Sequence, residues 1–416
     1  MKILIINSRY FLSAGPEKYM FSLMKILKKH DHTIIPFSIK NIKNEKTEYE
    51  RYFAEPIGGL DQVYFEDFNK LNIKTDLQML DRQFYSFHVK KKLKKLIAEE
   101  KPDLAYILHH YNRLSPSIID ACKEMKLPVV MRLSDFFMVC PEGHLLNNSK
   151  PCEDCINKSL FSAVRKRCVK NSRFASAIKA CAMKFHRLIR IYHKVDYVVS
   201  PSIFTISKVK HLLRKNIMHI PTLIAESYDS SAKVGDYALF VGRVEEEKGL
   251  MWALKALENT NHKFKIVGNS HSGYDAKLKK YVASHNLKNI EFLGPIYGDE
   301  LKQLYKNSRF VLLPNVWYEN MPNVALEAMS YGKPILSSDL GSMKEIVIEG
   351  KTGFLVKSND VKALADKINL LFKDRKLCER VGKNAYKEAK DKYDPEKHYS
   401  RLIKLFNRAI SEKKRK

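Results

Sequence analysis

The sequence predicts an α/β protein made of two Rossmann-like, parallel-sheet domains, and three observations carry that prediction. The chain has 416 residues, too many for one ordinary core and well matched to two domains of roughly 200 residues each. Short β-rich apolar runs alternate with helical patterns from end to end, as in parallel sheets covered by helices on both faces. A polar, Ser-rich patch, ESYDSSAKVGD from Glu226, interrupts the alternation, which then restarts. That places domains at 1–225 and 236–390, with residues 391–416 forming a charged, amphipathic helix that crosses back towards the first domain. Two such domains facing one another form a cleft, where ligands bind.

The elements follow in order. KILIIN from Lys2, HTIIPF from His32, DLAYIL from Asp103, PVVMRL from Pro128, DYVVSP from Asp196 and IMHIP from Ile217 read as strands of the first domain. Helices lie between them, for example Glu17 to Lys29 and Ser115 to Lys126. YALFVG, KFKIVG, IEFLGPI, FVLLPN, PILSSD and GFLV are the strands of the second.

A hydrophobic content of 45% excludes a disordered chain, and no apolar run reaches the roughly 18 residues that span a bilayer. The opening MKILIINSRYF has no small-residue cleavage site and reads as a buried first strand. The chain is therefore expected in the cytoplasm, with its seven cysteines reduced.

The net charge of +28 attracts nucleic acid, anionic lipid or phosphorylated substrates. Between Ile156 and Val195 there is no Asp or Glu, and over about 171–194 Phe174, Ile178, Cys181, Phe185, Leu188 and Tyr192 recur at helical spacing among Lys and Arg. This is the pattern of a helix lying on an anionic membrane, or of a helix packed on its own sheet with a solvated basic face. HVKKKLKKL from His88 adds a second basic cluster.

In open parallel sheets, ligands bind at the carboxyl ends of strands. FVGRVEEEKG puts Arg243 directly after a strand and Lys248 five residues on. A guanidinium and an ammonium there match a diphosphate, and they stabilise the charge that develops when a sugar leaves a nucleotide. No D-x-D motif is present, so these two side chains are expected to stand in for a divalent ion, with no cofactor for catalysis. The alternative is a pair of ordinary surface cations. LLPNVWYENMPN ends a strand in a polar turn holding Glu319, and Pro322, in the first turn, starts the next helix. Glu327 lies among Val324, Leu326, Ala328 and Met329, where a carboxylate needs hydrogen bonds such as a ribose diol offers. Backbone N–H groups around Met321, Asn323 and Val324 would face a phosphate. In SSDLGSMKE, Gly341 lets backbone approach a ligand closely.

VGRVEEEKG, the E-x7-E of ENMPNVALE, EAMSYGKPILSSDLGSMKEIV and GKTGFLV, in that order, resemble glycosyltransferase family 4, retaining enzymes of the GT-B fold. The resemblance implies that Arg243 and Lys248 bind the donor diphosphate, Glu319 the sugar and Glu327 the ribose. It also implies that Gly242 lies against the donor and that SAGPEKYM approaches it through Gly15, although the usual double glycine is Ala14-Gly15 here. Family members commonly carry a histidine where this chain has Ser134. Asp135, or His109 and His110 at the end of the preceding strand, could meet the acceptor hydroxyl instead, or the two histidines are simply polar residues at a strand end.

CPEGHLLNNSKPCEDCINKSLFSAVRKRC, about 140–168, resembles an insertion found in a subset of these transferases. Cys140, Cys152, Cys155 and Cys168 either close a structural zinc site or pack as reduced thiols. The function implied is transfer of a sugar from a nucleotide-sugar donor to a lipid-linked or polysaccharide acceptor in cell-surface glycan biosynthesis, on the inner face of a membrane. A GT-B nucleotide-sugar epimerase is one alternative. A basic nucleic-acid-binding protein is another, less favoured because it leaves Glu327 unexplained, and nucleic acid is not an expected partner.

Overall fold

The computed structural model describes residues 1–60, 73–213, 216–224, 229 and 233–415. Six of the eleven positions in the polar patch expected to separate the domains, 226–228 and 230–232, lie outside the described residues. The chain divides into two compact units. The first comprises Met1–His144, Glu153–Leu223 and Pro395–Lys416, the second Leu145–Cys152 and Ile224–Asp394.

The strands of the first unit are β1 (Lys2–Asn7), β2 (Thr33–Phe37), β3 (Leu104–His109) and β4 (Val129–Arg132). A two-residue antiparallel hairpin, β5 (Leu146–Asn147) and β6 (Lys150–Pro151), precedes β7 (Tyr197–Ser200) and β8 (Ile217–His219). The first sheet runs β2-β1-β3-β4-β7-β8, all parallel. The second unit contributes β9 (Tyr237–Val241), β10 (Lys263–Val267), β11 (Ile290–Gly294), β12 (Phe310–Leu313), β13 (Ile335–Ser338) and β14 (Gly353–Val356). They form a parallel sheet in the order β11-β10-β9-β12-β13-β14.

Both faces of the second sheet are covered, which is why its strands read as continuous apolar runs. Ala238, Phe240, Phe310 and Leu312 enter one buried cluster, while Tyr237, Leu239, Val311 and Leu313 enter another. Successive side chains on a strand point to opposite faces, so each cluster takes every second residue. In the first unit Ile3, Ile5, Leu104, Tyr106 and Val130 pack with Leu402, Leu405 and Phe406 of the C-terminal helix Pro395–Lys414. His398 anchors that helix. Its Nδ1 donates to the Pro221 carbonyl at 2.7 Å, which leaves Nε2 to accept from Tyr19 at 3.0 Å. Burial pushes its pKa down to about 3.

The basic segment forms the helix Arg173–Leu188, but its phase differs from the expected one. The buried side is Ser176, Lys179, Ala180, Ala182, Met183 and His186. Phe174 and Leu188, expected on one apolar face either lying on a membrane or packed on the sheet, are 77% and 80% exposed. Ser176, Ala180 and Ala182 lie on the packed side, and Phe174 and Leu188 fall on the opposite one. Among the described residues no helix is long and apolar enough to cross a membrane.

Candidate active site

The loop after β9 is held by hydrogen bonds to neighbouring loops. Gly242 N–H donates to Val267 O at 3.0 Å and Val244 N–H to Asn269 O at 2.8 Å. Glu245 is buried and accepts from His271 N–H at 2.6 Å and from both the N–H and the hydroxyl of Ser272. Burial pushes its pKa up, but these hydrogen bonds outweigh burial and hold the carboxyl below its usual range. A short 3-10 turn, Glu246–Lys248, ends at Gly249, whose φ is 70°. A Cβ there would lie 1.8 Å from the Pro314 carbonyl oxygen, so only glycine lets this loop meet the one after β12.

That junction brings Lys248 onto Glu319. Lys248 Nζ donates to Glu319 Oε1 at 2.6 Å, Trp317 Nε1 donates to the same oxygen at 2.9 Å, and the ammonium lies 4.9 Å from the Trp317 ring centroid. Arg243 is placed differently, paired with Glu247 at 2.8 Å with its side chain 45% exposed, against 17% for Lys248. The exposed pair is screened by water, so Arg243 is the more readily released of the two cations. Gly341, with φ of 60°, approaches the backbone of Glu319. A Cβ at that position would meet Glu319 O at 2.8 Å and N at 3.0 Å, and Ser342 N–H donates to Glu319 O at 3.2 Å.

Asn323 and Val324 open the helix Asn323–Ser330, and Pro322 is its N-cap, one position earlier than expected. Glu327, 6% exposed, receives the Tyr305 hydroxyl at 2.9 Å on Oε2. The buried carboxylate therefore already has a donor from within the protein, a contact 22 residues away that no local pattern signals. Tyr305 stacks on Tyr331 with ring centroids 5.5 Å apart.

In the first unit, the ends of β1, β3 and β4 bring Ser8, His109 and Asp135 together. Ser8 Oγ is 2.8 Å from His109 Nδ1, and His109 Nε2 is 3.3 Å from Asp135 Oδ2, close but outside hydrogen-bond alignment. Asp135 Oδ1 accepts from Phe137 N–H at 2.9 Å, which fixes the carboxylate. Ser134 donates to the Leu108 carbonyl at 2.8 Å. His110 is 1% exposed, contacts Tyr192 at 3.3 Å and is held by burial well below the usual histidine pKa, so it belongs to the core. Gly15 is exposed at the start of the helix Gly15–Lys29.

Cys140, Cys152, Cys155 and Cys168 remain thiols. Cys152 goes with the second unit and the other three with the first. Among the described residues no group of three or more His, Cys, Asp or Glu is arranged to hold a metal ion.

Residues that sequence reasoning missed are Ser8, Glu245, Glu247, Trp317 and Tyr305. Glu247 had a local signal, lying four residues after Arg243 on what becomes one turn. Trp317, two residues before Glu319, had a weaker one.

Residues 230–388 match the model of the glycosyl transferases group 1. An uncharacterized glycosyltransferase of Methanocaldococcus jannaschii is 30% identical over 222 residues, 52% of this chain and 62% of that protein. An α-1,4-N-acetyl-D-galactosaminyltransferase of Campylobacter jejuni, named for an undecaprenol-diphosphate-linked glycan, is 30% identical over 193 residues, 45% of this chain and 51% of that one. Each match thus spans less than two thirds of the relative's length. The solved structure of HepE from Anabaena in complex with UDP and glucose superposes with a TM-score of 0.65 at 15% identity, covering 98% of this chain and 99% of that one. Over residues 230–388, the chain is therefore similar to the glycosyl transferases group 1 family.

Proposed function

We propose that this protein is a retaining glycosyltransferase that moves a sugar from a nucleotide-sugar donor to a lipid-linked or polysaccharide acceptor in cell-surface glycan synthesis. The single observation that carries the reading is the Lys248–Glu319 pair, which unites the loops after β9 and β12 at the carboxyl edge of a parallel sheet. Lys248 and Arg243 bind the donor diphosphate and offset the charge that develops as it departs, without a divalent ion. Glu319 accepts from hydroxyls of the sugar, Glu327 from the ribose, and Asn323 and Val324 present helix N–H groups to phosphate. His109, oriented by Ser8 and with Asp135 3.3 Å away, meets the acceptor hydroxyl, while the departing phosphate takes the proton of that hydroxyl. The UDP complex of HepE supports a nucleotide diphosphate as the ligand of this fold.

The work takes place on the cytoplasmic face of a membrane. Phe174 and Leu188 stand outward from a helix that also exposes Arg173 and Lys184, with Arg190 exposed just beyond its end, apolar anchors among cations that suit an anionic surface. A thermal-shift screen of nucleotide diphosphates and nucleotide sugars, repeated on Arg243→Ala, tests the donor site. Stabilisation of the wild type that is lost in the variant is the expected result, and no stabilisation by any nucleotide overturns the reading.

A further inference from the structure

Lys333 lies in the turn between the helix Asn323–Ser330 and β13. It is 2% exposed, a costly place for an ammonium unless its protons find acceptors. Burial pushes its pKa down to about 8, which leaves it largely protonated at pH 7. Its three donors meet three backbone acceptors: Nζ donates to Lys233 O at 2.6 Å, to Lys306 O at 2.7 Å and to Ser308 O at 2.9 Å.

Two of those acceptors stand at the carboxyl end of the helix Gly298–Asn307, which carries Tyr305. The last four carbonyls of a helix have no partner within it, and a positive charge suits that end of the helix dipole. Here the last turn is held from outside. Leu304 O receives the Tyr237 hydroxyl at 2.8 Å, Tyr305 O receives the Ser308 hydroxyl at 2.9 Å, and Lys306 O receives Lys333. Through its backbone Lys333 also holds the second helix: its N–H donates at 2.9 Å to the carbonyl of Ala328, the residue after Glu327. One residue thus ties together the ends of the two helices whose side chains, Tyr305 and Glu327, meet at 2.9 Å.

We propose that Lys333 is a positioning residue of the donor site, whose buried ammonium fixes the last turn of the helix Gly298–Asn307 and so aims the Tyr305 hydroxyl at Glu327, keeping that carboxylate in place for the ribose. This role rests on the donor reading above, in which Glu327 accepts from the ribose. An apolar side chain of similar length would fill the space at less cost, but it would take a donor from three carbonyls and release the turn that carries Tyr305. The influence of Lys333 therefore runs through the ribose and not through the diphosphate.

Isothermal titration of the full chain with UDP, GDP, ADP and CDP, and with inorganic pyrophosphate, tests this. Lys333→Met is expected to weaken the tightest-binding nucleoside diphosphate about fivefold or more, as for loss of roughly one hydrogen bond, while pyrophosphate, which has no ribose, changes by less than about twofold. In a Tyr305→Phe background Lys333→Met is expected to add no further loss, because the hydroxyl it positions is gone. A residue that merely held the fold would weaken both ligands, and would do so again in that background. Ser308→Ala removes another donor to the same turn and leaves Lys333 in place. It is expected to weaken the nucleotide in the same direction, and it decides the matter if Lys333→Met does not fold. Equal loss for nucleotide and pyrophosphate, or an undiminished effect in the Tyr305→Phe background, overturns the proposal and leaves the donor reading standing. So does nucleotide binding unchanged by Lys333→Met, or by Ser308→Ala where that variant alone folds. No binding of any of the four nucleotides by the wild type overturns the donor reading and the role of Lys333 with it.

Discussion

Tyr305 donates its hydroxyl to Glu327 at 2.9 Å, beneath the helix that opens at Asn323. A carboxylate this deeply buried depends on such donors. Tyr305→Phe is expected to lower stability by about 1–3 kcal/mol, as for a buried acceptor left short of a partner. It should also weaken nucleotide diphosphate binding. Denaturant unfolding and calorimetric titration check the two effects; unchanged stability would mean that Glu327 draws its support from elsewhere.

The contact between Lys248 and Glu319 should appear as energetic coupling. In a double-mutant cycle with Lys248→Ala and Glu319→Ala, the coupling in stability is expected to be about 1 kcal/mol or more, within the range for partners in contact. Lys248→Ala should also lower kcat by roughly 10²–10³-fold, as for loss of one donor to developing charge. Arg243→Ala should leave stability within about 0.5 kcal/mol, because the Arg243 side chain is itself 45% exposed and its ion pair is screened by water.

Gly341 supports Glu319 from behind. Gly341→Ala would drive a methyl group into the Glu319 backbone while adopting a φ of 60°. A loss of about 1–3 kcal/mol is expected from the strain, together with a fall in kcat as the carboxylate shifts. A crystal structure of the variant with the loop after β12 unmoved would contradict this account.

His398 makes the first unit sensitive to acid. Its folded pKa is about 3, below the ordinary 6.5, so the unfolded chain takes up the proton first. Stability from this group is therefore complete above pH 6.5 and is lost as pH falls towards 3. Between pH 6.5 and 5 the wild type should lose about 2 kcal/mol more than His398→Gln. Parallel urea titrations at the two pH values give the difference directly.

Phe174 and Leu188 bear on membrane attachment without bearing on the core. Replacing both with Ser should leave the melting temperature unchanged and lower cosedimentation with vesicles containing anionic phosphatidylglycerol several-fold. Equal binding by wild type and variant would remove this helix from the membrane reading.

Much of the fold is legible in the chain itself. The twelve strands of the two sheets coincide with β-rich apolar runs, most continuously in inner strands such as Phe310–Leu313 and Val129–Arg132, because a strand buried on both faces needs apolar residues at nearly every position. The hairpin at Leu146–Pro151 is not legible, since two-residue strands leave no run to recognise. Arg243, Lys248, Glu319 and Glu327 stand out as charges at strand ends or in an apolar helix, but which of them touch is not written locally. The pairing of Lys248 with Glu319 crosses 71 positions, and that of His109 with Ser8 crosses 101.

The order of strands and helices, the two-sheet class and the identity of the charged candidates are determined by the sequence, because alternation and composition act over a few residues. Tertiary structure alone decided that Gly341 meets the backbone of Glu319, that Tyr305 donates to Glu327, and that the helix Arg173–Leu188 buries Lys179 while exposing Phe174. Those outcomes depend on how closely separate backbones approach and on which face of a helix fits its neighbours. They are fixed by packing across long separations, to which the local pattern contributes no term.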